Sequence, residues 1–137
     1  KEFIERFPAK NKIDFVEGNF DKDRFYAMAK GKENIREGGE RCFACYELRL
    51  RESAEYALKG NFDYFTTTLS ISPLKNAEKL NQIGLSLEKE YGVKYLVSDF
   101  KKKDGYKRSV EISRQYGMYR QDYCGCVFSK KEREQNI

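Results

Sequence analysis

The sequence predicts an α/β fold, in which a parallel sheet carries helices on its faces. Short runs of apolar, β-branched and aromatic residues alternate with amphipathic stretches of about fifteen residues, the pattern of βαβ units. The 137 residues are 39% hydrophobic and 15% aromatic, which supplies one buried core. We therefore expect a single α/β domain over residues 1–137.

The spacing of apolar residues predicts the elements of the N-terminal part. An amphipathic helix over residues 1–9 ends at Pro8. A strand over residues 13–17 alternates apolar and polar side chains. A second helix over residues 21–30 begins with Asp21 as its cap.

The longest predicted helix runs from Cys42 to about Leu58, since apolar residues recur every three or four positions, and Gly60 ends it. The remaining elements are a loop over 34–39, a buried strand over 62–69, a loop over 70–76, a helix over 77–91 ended by Gly92, a strand over 93–100, a basic turn over 101–105, a helix capped by Asp104, a loop over 119–129 and a short charged helix over 130–135.

Ligands of open parallel sheets bind beyond the carboxyl ends of the strands. We therefore expect the loops after Leu69 and Phe100 to share one rim, with Cys42 and Cys45 facing it. The chain opens with Lys1 inside a predicted helix, without a Met. We expect the natural protein to begin earlier and its first strand to precede this chain.

Composition narrows the classes of function. A net charge of +5 permits a polyanionic partner such as RNA and is equally typical of a solvated surface. No segment predicts a membrane span or a secretory signal, so we expect a cytoplasmic protein without a membrane partner. The absence of histidine excludes a Ser-His-Asp arrangement and an imidazole base, and there is no glycine-rich phosphate loop.

Two groups of polar residues outside the cysteines are candidates for contacts with a nucleotide. Threonines 66–68, with Ser70 and Ser72, are typical of a phosphate or ribose site and equally of a β-strand. Lysines 101–103, with basic residues nearby, are typical of a nucleic-acid contact and equally of a solvated face. Those nearby residues are Lys107, Arg108 and Arg114.

All four cysteines fall into two tight pairs, Cys42-x-x-Cys45 and Cys124-Gly125-Cys126. Positions i and i+3 of a helix lie on one side, and the helix N-terminus favours thiolates. Four interpretations stay open: two buried apolar pairs, disulfides, a structural zinc site and an iron–sulfur centre. A reducing cytosol disfavours disulfides, and spacing does not separate zinc from an iron–sulfur centre.

The residues before Cys124 offer donors, a cation and aromatic faces beside the predicted metal. Tyr119, Arg120, Gln121 and Tyr123 all lie within five positions of it. The competing interpretation packs the two tyrosines in the core and leaves Arg120 in solvent.

At these residues the chain resembles a known family, the cobalamin-independent epoxyqueuosine reductases. The resemblance covers nearly the whole chain, and its most specific motif is Tyr119-Arg120-Gln121-x-Tyr123-Cys124-Gly125-Cys126-Val127-Phe128-Ser129. The other matching pieces are Arg41-Cys42-x-x-Cys45, Phe65-Thr66-Thr67-Thr68-Leu69, Ser72-Pro73, Lys75-Asn76 and Glu88-Lys89-x-Tyr91-Gly92-Val93-Lys94.

The resemblance implies a Rossmann-like, three-layer α/β protein that reduces the epoxide of epoxyqueuosine in tRNA to queuosine. It implies a [4Fe-4S] cluster with an additional iron and an unidentified electron donor. The implied metal ligands are Cys42, Cys45, Cys124 and Cys126. Arg120, Gln121 and Tyr123 are the expected contacts with the substrate or with the ligands.

One departure from the family pattern concerns the metal. The family carries a Cys-Cys pair on its first strand, and this chain does not contain that segment. If the protein has that segment outside this chain, we expect the four cysteines to be part of a larger ligand set. If the protein itself lacks it, we expect an inactive protein whose four thiols hold zinc or no metal. Two alternatives to a reductase therefore stay open: a non-catalytic tRNA- or RNA-binding module with a four-cysteine zinc site, and a dithiol oxidoreductase that uses Cys42 and Cys45.

Overall fold

The computed structural model describes residues 1–19 and 21–136. Helices dominate this part of the chain, together with two short strands and one 3₁₀ turn. The elements are α1 (Glu2–Arg6), α2 (Lys22–Ala29), α3 (Glu40–Lys59), β1 (Tyr64–Phe65), the 3₁₀ turn Leu69–Ile71, α4 (Ala77–Tyr91), β2 (Lys94–Tyr95), α5 (Gly105–Gln115) and α6 (Val127–Gln135).

The two strands form a parallel sheet in which Tyr64 lies opposite Lys94 and Phe65 opposite Tyr95. Phe65 and Tyr95 are buried, whereas Tyr64, on the other face of the pleat, is 55% exposed. This mixed helical structure with a small parallel sheet is compatible with the predicted α/β class. Among the described residues only one face of this sheet is covered, so the three-layer arrangement is not confirmed.

The core forms where α3 and α4 pack against each other and against the sheet. Each large apolar side chain that is fully buried there contributes about 1.5–3 kcal/mol to folding. The buried members are Cys42, Tyr46, Leu50, Ala54, Ala57, Phe65, Leu80, Leu87, Val93 and Tyr95. Four of the apolar residues whose spacing predicts α3 are among them, namely Tyr46, Leu50, Ala54 and Ala57.

Helix α4 has the bounds that the sequence predicts, and its ends show why. The side chain of Asn76 accepts a hydrogen bond from the backbone N–H of Lys79 and caps the first turn. Gly92 ends the helix in the left-handed conformation, with φ of 74°. Asp21 caps α2 in the same way as Asn76 caps α4, as predicted.

The predicted strand over residues 13–17 is wrong. These residues form no ladder, and Ile13, Phe15 and Val16 are all more than half exposed. Alternating polarity describes a chain with two different sides, but a strand also requires a neighbour that shares its backbone hydrogen bonds. No strand in the described ranges lies beside this segment.

The predicted strands over residues 62–69 and 93–100 are too long, since each keeps only two residues in the sheet. After Phe65 the chain turns into the 3₁₀ segment, and Leu96 and Val97 are about half exposed. The predicted helix over 130–135 begins earlier, at Val127, because Cys126 Sγ accepts a hydrogen bond from Ser129 N and caps its first turn.

The loops that follow the two strands lie on one rim, as predicted. Ser70 Oγ accepts a hydrogen bond from Phe100 N at 3.1 Å, and Lys101 Nζ donates to the Ser70 carbonyl at 3.0 Å. No helix within the described ranges is both long and apolar enough to cross a bilayer.

Candidate functional site

The four cysteines line one cavity, although the two pairs are about eighty positions apart in sequence. The start of α3 provides one pair and the loop before α6 provides the other. All four are free thiols. The remaining lining residues are Phe25, Glu37, Arg41, Tyr46, Arg49, Lys75 and Ser129.

This inner cavity is small, about 20 Å³, and it adjoins a pocket of about 590 Å³. Cys45 and Cys126 line both spaces, and Tyr123 lines the larger one. Two of the thiols are therefore within reach of a molecule that enters the larger pocket.

Cys42 and Cys45 face the cavity together because they are three positions apart on α3. The backbone N–H of Gly38 donates to Cys42 Sγ at 3.2 Å. The φ of Gly38, 93°, lies in the left-handed region and places this donor just before the helix.

The buried ammonium of Lys75 lies between two acceptors. Lys75 Nζ donates to Cys124 Sγ at 2.9 Å and to Glu37 Oε1 at 3.1 Å. The other carboxylate oxygen of Glu37 accepts a hydrogen bond from Ser129 Oγ, which itself accepts from Cys124 N. One connected network thus joins the loop before α3, the rim loop and the start of α6.

Burial and neighbouring charges act on two titratable groups of the cavity. Burial raises the pKa of the Cys45 thiol, while Arg49 opposes this and the other three thiols add to it. Burial acts to lower the pKa of the Lys75 ammonium, but its contacts with Cys124 and Glu37 outweigh this effect, and the net pKa is raised. Lys75 is therefore a fixed positive charge beside Cys124.

Tyr46 also lines the cavity, and its buried hydroxyl makes no hydrogen bond of normal geometry within the described residues. Burial raises the pKa of this phenol, which the backbone of Asn76 and the charge of Lys75 partly oppose.

The donor set fits a thiolate-bound metal group in its chemistry, since four soft sulfur atoms surround one space. No group of three or more Cys, Asp or Glu side chains in residues 1–19 and 21–136 is arranged to hold a metal ion. The four sulfurs therefore border a common space without closing on a single ion.

The three other predicted site residues have different places. Tyr123 lines the large pocket, with Lys130 Nζ 5.9 Å from the centre of its ring. Gln121 Nε2 donates to the Tyr123 carbonyl at 2.7 Å and so fixes the loop. Arg120 donates to Ser113 Oγ at 2.9 Å on α5 and does not line the cysteine cavity.

The hydroxyls of the rim form hydrogen bonds with backbone groups of the two loops that follow the strands. Thr66 Oγ1 donates to the Leu96 carbonyl, and Thr67 Oγ1 accepts from Leu69 N. Ser72 Oγ accepts from Leu74 N. This arrangement explains the hydroxyl-rich stretch without a phosphate.

The predicted basic surface is only partly available. Lys101 is half-buried and donates to the backbone carbonyls of Ser70 and Lys75, so it holds the rim together. The other members are exposed, namely Lys102, Lys103, Lys107, Arg108 and Arg114.

Sequence reasoning did not select Glu37, Tyr46, Lys75 or Ser129 as site residues. A buried lysine is rare unless it is paired, but burial is not visible in the sequence. The signal that could have pointed to Lys75 is its position in a loop that follows a predicted strand, on the rim that Cys42 and Cys45 were expected to face.

Comparison with known proteins identifies the family of this chain. Residues 1–132 match the family described as Epoxyqueuosine reductase QueH. A relative of that name from Streptococcus pyogenes serotype M1 is 43% identical over 133 residues, which are 96% of this chain and 52% of the relative. A relative of the same name from Staphylococcus aureus strain Mu50 is 42% identical, over 94% of this chain and 55% of the relative. A third, from Thermotoga maritima, is 39% identical over 82% of this chain and 58% of the relative.

The chain spans about half the length of the curated relatives that it matches. Within that span the match includes both cysteine pairs and the rim loop between them. The chain therefore belongs to the Epoxyqueuosine reductase QueH family.

Proposed function

We propose that this chain carries the thiolate-rich half of a reductase that converts epoxyqueuosine in tRNA to queuosine in the cytoplasm. The observation that supports the proposal most is the convergence of two distant cysteine pairs on one cavity that adjoins a larger pocket. The names of the relatives supply the substrate. A Rossmann-like, three-layer arrangement of a larger parallel sheet is part of the same proposal.

Removal of the epoxide oxygen consumes two electrons and two protons, breaks both C–O bonds and releases the oxygen as water. An external donor supplies the electrons. A [4Fe-4S] cluster with an additional iron, bound by Cys42, Cys45, Cys124 and Cys126, would pass electrons singly and offer a Lewis acid for the oxygen.

The ligands of a cluster bind different irons, so they surround a shared space and need not close on one ion. What supports this proposal is that the four sulfurs line one cavity. A four-iron cluster is larger than the inner cavity, and the adjoining pocket offers room on the side of Cys45 and Cys126.

The chain's own residues have separate tasks in this proposal. Tyr123, on the wall of the large pocket, offers an aromatic face to the nucleoside. Gln121 holds the carbonyl of Tyr123 and so keeps the loop in place. Arg120 attaches the same loop to α5, because its guanidinium contacts Ser113 and the face of the Tyr106 ring.

The exposed basic residues of the 101–105 turn and α5 are suited to the tRNA backbone. They carry positive charge on the exposed surface, and no residue of α5 is buried. Such contacts bind phosphates without reading sequence.

The test uses full-length protein that is purified without oxygen and supplied with iron and sulfide. Metal and sulfide content are measured first, and we expect roughly four irons and four sulfides per chain with iron to spare. The protein is then reduced and incubated with tRNA that contains epoxyqueuosine, and the digested nucleosides are analysed by mass spectrometry for loss of one oxygen.

We expect conversion with the parent protein and with Ser86→Ala, a change at an exposed position of α4. Cys45→Ser and Cys126→Ser should lose both the visible absorption and the conversion. One zinc per chain without sulfide, together with unchanged substrate, would move the assignment to the RNA-binding module with a structural zinc site.

A further inference from the structure

Lys75 is a buried cation, and four cysteine ligands would not by themselves require a positive charge at this position. The residue is 6% exposed, and it precedes α4 in the loop that follows β1. Burying an ion pair usually stabilises a protein no more than an apolar side chain of the same size does. Its ammonium also lies beside an aromatic ring, with Nζ 5.9 Å from the centre of the Tyr46 ring.

The carboxylate of Glu37 is held so that it faces Lys75. Ser129 Oγ donates a hydrogen bond to one carboxylate oxygen of Glu37 at 3.1 Å. The backbone N–H of Glu37 donates to the carboxylate of Glu132. Glu132 is fixed in turn by the buried guanidinium of Arg41 at 3.3 Å. The Lys75–Glu37 pair therefore has a defined geometry beside Cys124.

A positive charge in hydrogen-bond contact with a thiolate sulfur draws electron density from it. When that sulfur binds iron, such a contact favours the reduced, more negative state and raises the reduction potential. A carboxylate on the far side of the cation opposes this effect. The two side chains thus act on the centre with opposite signs.

We propose that Lys75 and Glu37 are positioning residues that set the reduction potential of a metal centre bound through Cys124. The inference rests on the proposed function, because it assumes that Cys124 ligates iron. Neither residue is proposed to touch the substrate. Both act through the hydrogen bond from Lys75 Nζ to Cys124 Sγ.

The experiment compares Lys75→Met, Glu37→Gln and the double variant with the parent holoprotein, all loaded with iron and sulfide without oxygen. Lys89→Met, at an exposed position of α4, is the matched control. Iron content is measured together with the midpoint potential, which is followed by visible absorption during a reductive titration.

We expect Lys75→Met to make the midpoint potential more negative and Glu37→Gln to make it less negative. The midpoint potential of the double variant should lie closer to that of the parent, and the potential of Lys89→Met should equal that of the parent. Loss of the hydrogen bond to Cys124 should also weaken iron retention by about 10–100-fold in Lys75→Met. A purely structural pair would instead reduce iron content in both variants without opposite shifts in potential.

Equal potentials in all iron-loaded variants, or shifts of the same sign in the two single variants, overturn the inference. If Lys75→Met retains too little iron to titrate, Glu37→Gln decides by itself, and an unchanged potential there overturns the inference. A parent protein that takes up no iron overturns it as well. Opposite shifts in an iron protein that leaves epoxyqueuosine tRNA unchanged would support the inference and refute the proposed function.

Discussion

Replacement of Glu132 by alanine tests whether α6 is anchored through a buried ion pair. Glu132 is the carboxylate that pairs with Arg41, whose side chain is 2% exposed. It also accepts hydrogen bonds from Glu37 N at 3.1 and 3.2 Å. The change removes the counter-charge and this acceptor together, whereas the guanidinium stays buried.

The expected cost follows from these contacts. Removal of one partner from a fully buried ion pair costs about 3–5 kcal/mol. Glu132 is 32% exposed, so water takes over part of its role, and Arg41 Nη1 still donates to the carbonyls of Lys32, Glu33 and Ile35. We therefore expect a loss of about 2–3 kcal/mol in the free energy of unfolding, against a usual total of about 5–15 kcal/mol.

Urea unfolding followed by circular dichroism measures this loss as a shift in midpoint at unchanged slope. The matched control is Glu134→Ala on the same helix, where the side chain is exposed and a change within about 0.5 kcal/mol is expected. If Glu132→Ala and Glu134→Ala differ by less than that amount, the Arg41 pair does not anchor α6 and the reasoning fails.

Three further predictions concern α4 and the basic surface. Gly84→Ala should destabilise the protein by about 1–3 kcal/mol, because a Cβ there would overlap the buried ring of Tyr95. This loss is expected although alanine favours helices. Equal or higher stability in urea would contradict this packing. Asn76→Ala should cost about 1 kcal/mol through loss of the helix cap, and Asn76→Ser should recover most of it; identical unfolding midpoints would exclude the cap. Lys107→Gln should weaken tRNA binding and reduce the salt slope by about 1, whereas Lys59→Gln should change neither; equal slopes would exclude a phosphate contact at Lys107.

The helices were predictable because their signals are local. Apolar spacing along α3, the Asn76 cap and the Gly92 stop all act within a few residues, and α4 has its predicted bounds. The strands were not predictable in the same way. Residues 13–17 alternate as a strand does but have no partner beside them, and pairing depends on residues distant in sequence.

The candidate site also has one part that local sequence signals predict and another part that they do not. The count and spacing of the cysteines, with no histidine, already pointed to a thiolate-only site, and the four thiols do line one cavity. Arg120 was expected to contact the substrate or the cysteines beside it in sequence, and the structure places its guanidinium against Ser113 of α5. Adjacency along an irregular loop does not determine where a long side chain points.

By itself, the sequence determined the two cysteine pairs, the helical face that presents Cys42 and Cys45, and the family. Only the tertiary structure decided which charges surround those thiols. Lys75 meets Glu37 across 38 positions and Cys124 across 49, and Ser129 meets Glu37 across 92. Local preferences act over one or two helical turns, whereas contacts at these separations form only when burial of the common core outweighs the entropy lost in closing the intervening loops.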